Sequence, residues 1–371
     1  MFRSPIFLKY LLPGFVFQSI VIGGGYGTGR ELVEFFLSDG PAAGYYGIVV
    51  STIIWSIVLA IAFELARLQR SYDYRSFINK LLGKAWIGYE VVYVTGMILV
   101  VSVLGSAAGE LTTEVFGIPS IVGIITMILV VGVLVFYGTS LIEKALSIWS
   151  FALYAVFLVL IIVAVNRFGG AIEENISASS PGANWWLSGA RYAAYNVGIM
   201  PAMLFATRHI ESRKEALLSG SIAGLLAMLP GVMIYTAMLG QYPEILSASI
   251  PADFLLIHLD IPNLRLVFQI ILFGTLIETG IGLIHGFNER VNGVYEEKGK
   301  RMPRVLRFGI AIVILMLAIF LADAIGIVDL IASGYGALTW GYWIVFVIPV
   351  LTLGLWRILK ANLKANPNTK A

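Results

Sequence analysis

Long apolar stretches dominate this sequence and constrain its fold more than any other feature. A helix that crosses a bilayer needs about 20 mostly apolar residues, and ten stretches meet that requirement. They span roughly residues 10–37, 45–67, 86–109, 119–138, 145–166, 186–207, 215–240, 264–290, 304–322 and 326–357. Only 13% of all residues are charged, about half the share found in soluble domains. We therefore predict an all-α integral membrane protein with ten transmembrane helices.

The distribution of charge supports that number of spans. With a cytoplasmic N-terminus, ten spans place 21 of the 25 basic residues on the cytoplasmic side, as the positive-inside rule requires. The other side collects acidic residues, namely Asp39, Glu114, Glu173, Glu174, Glu244, Asp253 and Asp260. The sequence thus predicts a multi-pass protein of the inner (cytoplasmic) membrane with both termini cytoplasmic. It also predicts an outer loop at 241–262, containing a short helix near Asp253–Leu259, and a polar cytoplasmic tail at 361–371.

Several functional classes are disfavoured. The chain has no cysteine, which excludes thiol catalysis, disulfides and cysteine-based metal sites. Its three histidines, His209, His258 and His285, lie in different segments, so neither a metalloenzyme site nor another membrane-embedded enzyme is expected. There is no nucleotide-binding motif, and we expect neither a nucleic-acid partner nor an organic cofactor. The oligomeric state stays open.

The first apolar stretch contains an unusual run of glycines, with five in the seven residues 23–29. Each glycine inside a helix costs about 1 kcal/mol relative to alanine, so the helix should unwind here. Unwound backbone at membrane depth is tolerated only where it packs in protein or lines a cavity. The alternative, a surface for close helix packing, needs the glycines on one face, whereas these glycines cover all faces. We predict substrate binding at this break by Gly23, Gly24, Gly25, Tyr26, Gly27, Thr28, Gly29 and Arg30.

Charged groups beside the break admit two interpretations. Freed amides near Gly27–Arg30 would favour an anionic substrate group, and Arg30 or Glu31 could hold a charged one. Alternatively, Arg30 and Glu34 are four residues apart and could simply pair along the helix.

The sixth stretch contains a second interruption, Tyr195-Asn196-Val197-Gly198-Ile199-Met200-Pro201. Proline lacks an amide hydrogen and clashes with the preceding turn, so a kink is the simpler interpretation of this segment alone. Its position, five spans after the first break, instead favours the paired interrupted helices of inverted-repeat transporters. We predict substrate contacts from Tyr195, Asn196 and Gly198, and gating by Arg191 and Tyr192. Tyrosines near both breaks could also form an aromatic cage for an amine.

Two interrupted helices in a ten-span chain resemble the amino acid–polyamine–organocation superfamily, which has the LeuT-type fold. The segment 23–31, GGGYGTGRE, is similar to the start of the YkvI-like membrane proteins, which are related to amino acid permeases. The resemblance implies a five-plus-five inverted repeat, here 1–166 and 167–360, with helices 1 and 6 discontinuous. It also implies alternating access, and small amino acids, amines or related solutes driven by Na⁺ or H⁺.

An ionisable residue in mid-membrane costs at least about 2.5 kcal/mol and usually marks a function or has a partner. Glu278 lies in the middle of the eighth stretch, next to Thr275 and Thr279. The resemblance implies that this part of the chain faces the first break and holds sodium through hydroxyls. We predict that the three residues bind the coupling ion, with Na⁺ at Thr275 and Thr279 or a proton on Glu278. Otherwise Glu278 is a structural carboxyl bonded to freed backbone or to Arg30.

These observations together predict a secondary active transporter, not an enzyme, for a small amino acid, amine or related zwitterionic solute. A channel, or a membrane sensor that does not transport, is the alternative on the same fold. A channel would favour a continuous polar pore, which these apolar spans do not show.

Overall fold

A computed structural model describes residues 4–137, 139–180, 182–325 and 327–365. The described part of the chain is predominantly helical and contains no β-strand. Arg3 and residues 366–371 of the predicted tail lie outside it. Seven helices in the described residues are long and apolar enough to cross a membrane, and two shorter apolar helices occur at Phe7–Val21 and Ser120–Phe136.

The α-helices are numbered in chain order. They are α1 Leu12–Val21, α2 Gly24–Gly27, α3 Arg30–Phe35, α4 Pro41–Gln69, α5 Tyr74–Leu82, α6 Trp86–Phe116, α7 Ser120–Tyr137, α8 Thr139–Ala178, α9 Trp185–Gly198, α10 Arg213–Met238, α11 Pro251–Leu259, α12 Pro262–Glu297, α13 Arg304–Ile325, α14 Ile327–Asp329, α15 Gly336–Tyr342 and α16 Leu355–Ala365. A 3₁₀ segment, Met200–Thr207, follows α9, and π-helical segments at Leu330–Tyr335, Trp343–Val347 and Val350–Gly354 flank α15.

Helix α1 forms the centre of the molecule. All ten of its residues are buried, and it packs against α8, α10 and α12. A helix that is apolar on all sides is stable only when it is surrounded by other helices or lipid. By contrast, α7 turns Ile121, Ile125 and Leu129 outward, one side chain per turn, as expected for a helix in contact with lipid.

Ion pairs link the helices at one end of the molecule. Lys9 Nζ lies 2.6 Å from Glu211 and 3.0 Å from Glu215, at the start of α10. The same end, which we call the basic end, contains four more pairs: Arg67–Glu64, Arg75–Glu297, Arg290–Glu90 and Arg307–Glu289. All of them except Arg67–Glu64, which lies within α4, join different segments and so hold the ends of those segments together.

At the opposite end, which we call the acidic end, the segment 241–262 covers the helices. The Arg30 guanidinium donates to the carbonyls of Leu246 and Ala248, and the amide of Ala252 donates to the carbonyl of Thr28. The short helix predicted near Asp253–Leu259 is present as α11. Asp253 forms an ion pair with Arg265 of α12 that includes two 2.8 Å contacts.

Two predicted spans differ from the structure. Helix α8 has 40 residues and would be about 60 Å long at 1.5 Å per residue, so it extends well beyond the predicted stretch 145–166. Its extension is held by Asn175, whose amide donates to the carbonyl of Leu239. The last predicted span, 326–357, is a succession of π- and α-helical segments, because its glycines and Pro349 weaken a regular helix.

Candidate functional site

The first glycine-rich segment leaves helical geometry at two points. Helix α1 ends at Val21, and Ile22 has φ −77° and ψ 78°. A single helical turn, α2, follows, and Gly29 then adopts φ 84° before α3 begins. Only glycine reaches that left-handed conformation without strain. The glycines thus allow two changes of direction within eight residues.

Helix α12 supplies the polar contacts that stabilise the first of these points. The Thr279 hydroxyl lies 2.8 Å from the carbonyl oxygen of Ser19 and 3.0 Å from that of Ile22. The Ser19 carbonyl lies in the last turn of α1 and the Ile22 carbonyl directly follows the helix, where no following turn provides an amide partner. A Cβ on Gly23 would lie 3.0 Å from the Thr279 methyl group, so the absence of a side chain there permits this close approach.

The neighbouring carboxylate, Glu278, is buried and also faces α1. Its Oε1 accepts a 2.6 Å hydrogen bond from the Ser19 hydroxyl, which lies 3.2 Å from the Ser150 hydroxyl of α8. The Glu278, Thr279, Ser19, Ser150 and Ile22 oxygens therefore form one buried group, which we call the oxygen cluster. Hard cations such as Na⁺ prefer oxygen ligands of this kind. A set of three or more His, Cys, Asp or Glu side chains suited to a transition metal does not occur among the described residues.

Thr275 is placed differently from its predicted partner Thr279. Its hydroxyl donates to the carbonyl of Ile271 and accepts a 3.2 Å hydrogen bond from the Trp149 indole. The side chain thus faces α8, so only its backbone could contribute to a site beside α1.

A second buried carboxylate, Glu31, lies on the opposite side of the break. Its Oε2 accepts a hydrogen bond from the Tyr195 hydroxyl, and the backbone of Tyr26 also hydrogen-bonds to this carboxylate. The carboxylate lies against Gly25, where a Cβ would overlap it. Arg30, by contrast, is directed to the acidic end, where it contacts two carbonyls and lies 3.4 Å from Glu34. Of the adjacent charges Arg30 and Glu31, only Glu31 faces the second interrupted helix.

The second interruption begins where α9 ends at Gly198 and the chain continues as a 3₁₀ segment. The Tyr89 hydroxyl of α6 donates a 3.0 Å hydrogen bond to the Gly198 carbonyl. A Cβ added to Gly198 would lie 2.8 Å from the Cβ of Tyr342 and closer still to the Tyr342 ring. Asn196 donates from its side chain to the carbonyl of Tyr192, within its own helix.

Aromatic rings fill the space between the two interruptions. The Tyr195 ring lies 4.7 Å from that of Tyr335 and 5.6 Å from those of Phe35 and Tyr192. The Arg191 guanidinium stands 5.9 Å from the Phe35 ring centroid, on the periphery of this aromatic cluster. Phe35, Tyr192, Tyr195 and Tyr335 are all at least nine-tenths buried, so the site is enclosed in this conformation.

The Tyr26 hydroxyl group is directed away from that cluster, toward α10. The hydroxyl donates to the carbonyls of Ala227 and Met228 in α10 at 3.0 and 3.4 Å. Pro230 lies in the same helix, and a proline weakens the hydrogen bonding of the turn before it. The Tyr26 side chain therefore connects the first break to α10.

His285 is fully buried seven residues beyond Glu278 in α12. Neither ring nitrogen has a hydrogen-bond partner among the described residues, and the ring packs edge-on against Phe205. No described hydrogen bond joins His285 to Glu278.

The structure brings some predicted residues together and separates others. Glu278 and Thr279 meet the end of α1, and Tyr195 meets Glu31. The side chains of Arg30 and Thr275 and the hydroxyl of Tyr26 contact other parts of the molecule, although the Tyr26 ring lies 6.5 Å from that of Tyr192. The prediction overlooked Ser19, Ser150, Tyr89 and Tyr335. Ser19 had a signal, since it is a polar residue four positions before Gly23. Ser150, Tyr89 and Tyr335 come from distant helices, and nothing in their local sequence marks them.

Known proteins resemble this chain in sequence and in fold. The uncharacterized membrane protein YkvI of Bacillus subtilis is 26% identical over 296 residues, which are 77% of this chain and 82% of that protein. No family model matches the chain.

Three solved structures share the fold. A manganese transporter from Eremococcus coleocola has a TM-score of 0.64 at 15% identity, over 93% of this chain and 78% of that one. A Na⁺-coupled sialic acid symporter has a TM-score of 0.65 at 10% identity, over 92% and 78%. MhsT in complex with L-phenylalanine has a TM-score of 0.62 at 16% identity, over 95% and 98%. The predicted all-α membrane class and the resemblance to YkvI-like and LeuT-type proteins are confirmed.

Proposed function

We propose that this protein is a secondary active transporter for a small amino acid, amine or related solute, working by alternating access and not as an enzyme. One observation carries the proposal: the two interrupted helices meet, through the hydrogen bond from Tyr195 to Glu31. Paired interrupted helices that face each other form the substrate site in inverted-repeat transporters. The structural neighbours, a manganese transporter and a Na⁺-coupled symporter among them, support this proposal.

Under this proposal, the observed helices correspond to the predicted transporter topology as follows. Helices α1–α3 together form discontinuous helix 1, and α9 with the segment Met200–Thr207 forms discontinuous helix 6. The two five-helix repeats are residues 1–166 and 167–360, in the cytoplasmic membrane, with the basic end in the cytoplasm.

Alternating access requires that each end can close and open. In the structure both ends are closed: Lys9 ties the start of helix 1 to Glu211 and Glu215, and Arg30 ties α3 to the segment 241–262. The breaks at Ile22 and Gly29 lie between these ties. Each half of helix 1 could therefore tilt about the break while the other stays in place, which opens one end at a time.

The oxygen cluster is the proposed coupling site. Thr279 and two carbonyls of α1 could coordinate Na⁺, and Glu278 could add a charged ligand or carry a proton instead. Either ion would draw the end of α1 toward α12, because the cluster contains groups from both helices. Ion binding would thus favour one arrangement of the first break over the other, which couples the ion gradient to the substrate cycle.

Uptake into proteoliposomes tests the transporter directly. The purified protein is assayed with a panel of labelled amino acids and amines, while a Na⁺ gradient and a pH gradient are imposed separately. We expect at least one solute to accumulate in response to one gradient. Folded protein that accumulates nothing would refute transport, and solute binding without uptake would indicate a sensor.

Glu278→Gln tests the coupling site in the same assay. Loss of the carboxylate should lower gradient-driven uptake at least 10-fold while solute exchange at equal ion concentrations persists, because the ion site and the substrate site are separate. The matched control is Glu173→Gln, which removes an exposed carboxylate from α8 and should leave uptake unchanged. Unaltered gradient dependence in Glu278→Gln would show that Glu278 has no coupling role.

A further inference from the structure

Glu31 is a buried carboxylate without a cationic partner. Its residue is 3% exposed, and no arginine or lysine in the described part of the chain forms an ion pair with it. The two arginines in the neighbourhood are engaged elsewhere, Arg30 with loop carbonyls and Arg191 beside Phe35. A buried charge is stable only when it is paired or hydrogen-bonded. The Tyr195 hydroxyl and the Tyr26 backbone provide hydrogen bonds but no positive charge.

The same carboxylate occupies the place where a substrate carboxylate would be expected to bind. Freed amides at the break are the groups that would receive an anion. The amide of Gly27 donates to the Gly23 carbonyl at 2.7 Å, and the amide of Gly29 donates to the Tyr26 carbonyl at 3.1 Å. The amide of Arg30 donates to the Thr28 hydroxyl at 3.4 Å.

The backbone of Tyr26 contacts Glu31 itself. These amides are therefore occupied by groups of the protein, and an ionised Glu31 would repel a second carboxylate.

The surroundings of Glu31 suit a cation. Tyr195 and Tyr335 lie together at a ring separation of 4.7 Å, and Phe35 stacks on Tyr195 at 5.6 Å. The negative faces of aromatic rings attract ammonium groups, and more strongly where water is excluded. A carboxylate next to such rings combines charge pairing with this attraction.

We infer that the substrate is an organic amine that lacks a carboxylate, and that Glu31 binds its ammonium group within the aromatic cluster Phe35, Tyr192, Tyr195 and Tyr335. This inference rests on the proposed function and narrows its substrate class from zwitterions and amines to amines. An amine should then bind more tightly than the amino acid from which it differs by loss of the carboxylate, because the amine lacks the group that an ionised Glu31 would repel.

Matched ligand pairs test the inference. Thermal stabilisation and labelled uptake are measured for phenethylamine against phenylalanine and for isoamylamine against leucine, with wild-type protein. We expect each amine to bind at least 10-fold more tightly than its amino acid. Glu31→Gln should weaken amine binding at least 10-fold. Glu34→Gln, which removes a carboxylate one turn later in the same helix, should not.

The outcomes separate the inference from the proposed function. Tighter binding or uptake of the amino acids, or full amine affinity in Glu31→Gln, would overturn the amine assignment and leave transport standing. Amine binding without uptake would support the assignment and refute transport. Absence of both binding and uptake for every ligand would overturn both. The comparison of ligand pairs on wild-type protein decides the question even if Glu31→Gln does not fold.

Discussion

The two interrupted segments both expose backbone groups, but different kinds of side chain stabilise that backbone in each. At the first break, polar side chains stabilise the exposed backbone: Thr279 reaches two carbonyls of α1, and the Glu31 carboxylate folds back onto the turn at Tyr26. At the second, one hydroxyl from Tyr89 reaches the Gly198 carbonyl, and the ring of Tyr342 packs directly on the glycine. The first break is surrounded by charge and oxygen, and the second by aromatic rings.

This difference suggests a division of roles. Among the described residues, carboxylates flank the first break and not the second, with Glu278 on the side of α12 and Glu31 on the side of α9, so ions and charged ligand groups should act at the first break. The second break is instead surrounded by closely packed aromatic rings. Changes at the second break should therefore act first on packing and stability, whereas changes at the first should act on both stability and ion response.

The largest effect is expected from Gly198→Ala. The new methyl group would lie only 2.2 Å from a carbon of the buried Tyr342 ring, and an overlap this severe should cost more than the about 1–3 kcal/mol typical of overpacking. Thermal unfolding of the purified protein in detergent should show a clear decrease in melting temperature. Gly170→Ala in α8 is the control, because nothing lies within 4 Å of the added atom. Equal stability of Gly198→Ala and wild type would contradict close packing at the second break.

A smaller effect is expected from Thr279→Val, which keeps the shape but removes the hydroxyl. Two carbonyls of α1 would lose a partner, which costs about 1–3 kcal/mol for buried groups. The melting temperature should decrease, and Na⁺ or pH dependence of stability should weaken, because Thr279 also belongs to the oxygen cluster. Thr279→Ser should restore both properties. Thr126→Val removes an exposed hydroxyl bonded only within its own helix and should have little effect. A decrease of the same size in that control would argue against a special role for Thr279.

The smallest effect is expected from Tyr89→Phe. It removes one hydrogen bond to the Gly198 carbonyl and leaves the ring in place, which costs about 0.5–1.5 kcal/mol. The melting temperature should fall slightly, with no change in ion dependence. Tyr46→Phe, on an exposed ring, provides the comparison. If Tyr89→Phe altered the ion response instead, the proposed division between the two breaks would be wrong.

The sequence predicted that helical order weakens at both segments and singled out Glu278 as a candidate, because each of these features has a local cause. Glycine density, a proline and a carboxylate within an apolar stretch are each visible in a few consecutive residues. The sequence did not predict which neighbouring side chains form hydrogen bonds with these segments and with Glu278. Arg30 and Glu31 are adjacent and both charged, yet they face opposite directions, and Thr275 and Thr279 lie one turn apart but contact different helices. Their orientation depends on helix packing, which local sequence does not encode in a readable form.

By itself, the sequence determined that the chain is a helical membrane protein and that helical order weakens at Gly23–Gly29 and near Pro201. These properties follow from apolar length and backbone freedom, which are local. The tertiary structure decided that Ser19 and Ser150 join Glu278, that Tyr195 reaches Glu31, and that Tyr89 reaches Gly198. Such contacts join residues more than 100 positions apart, and only the packing of helices in three dimensions brings those atoms together.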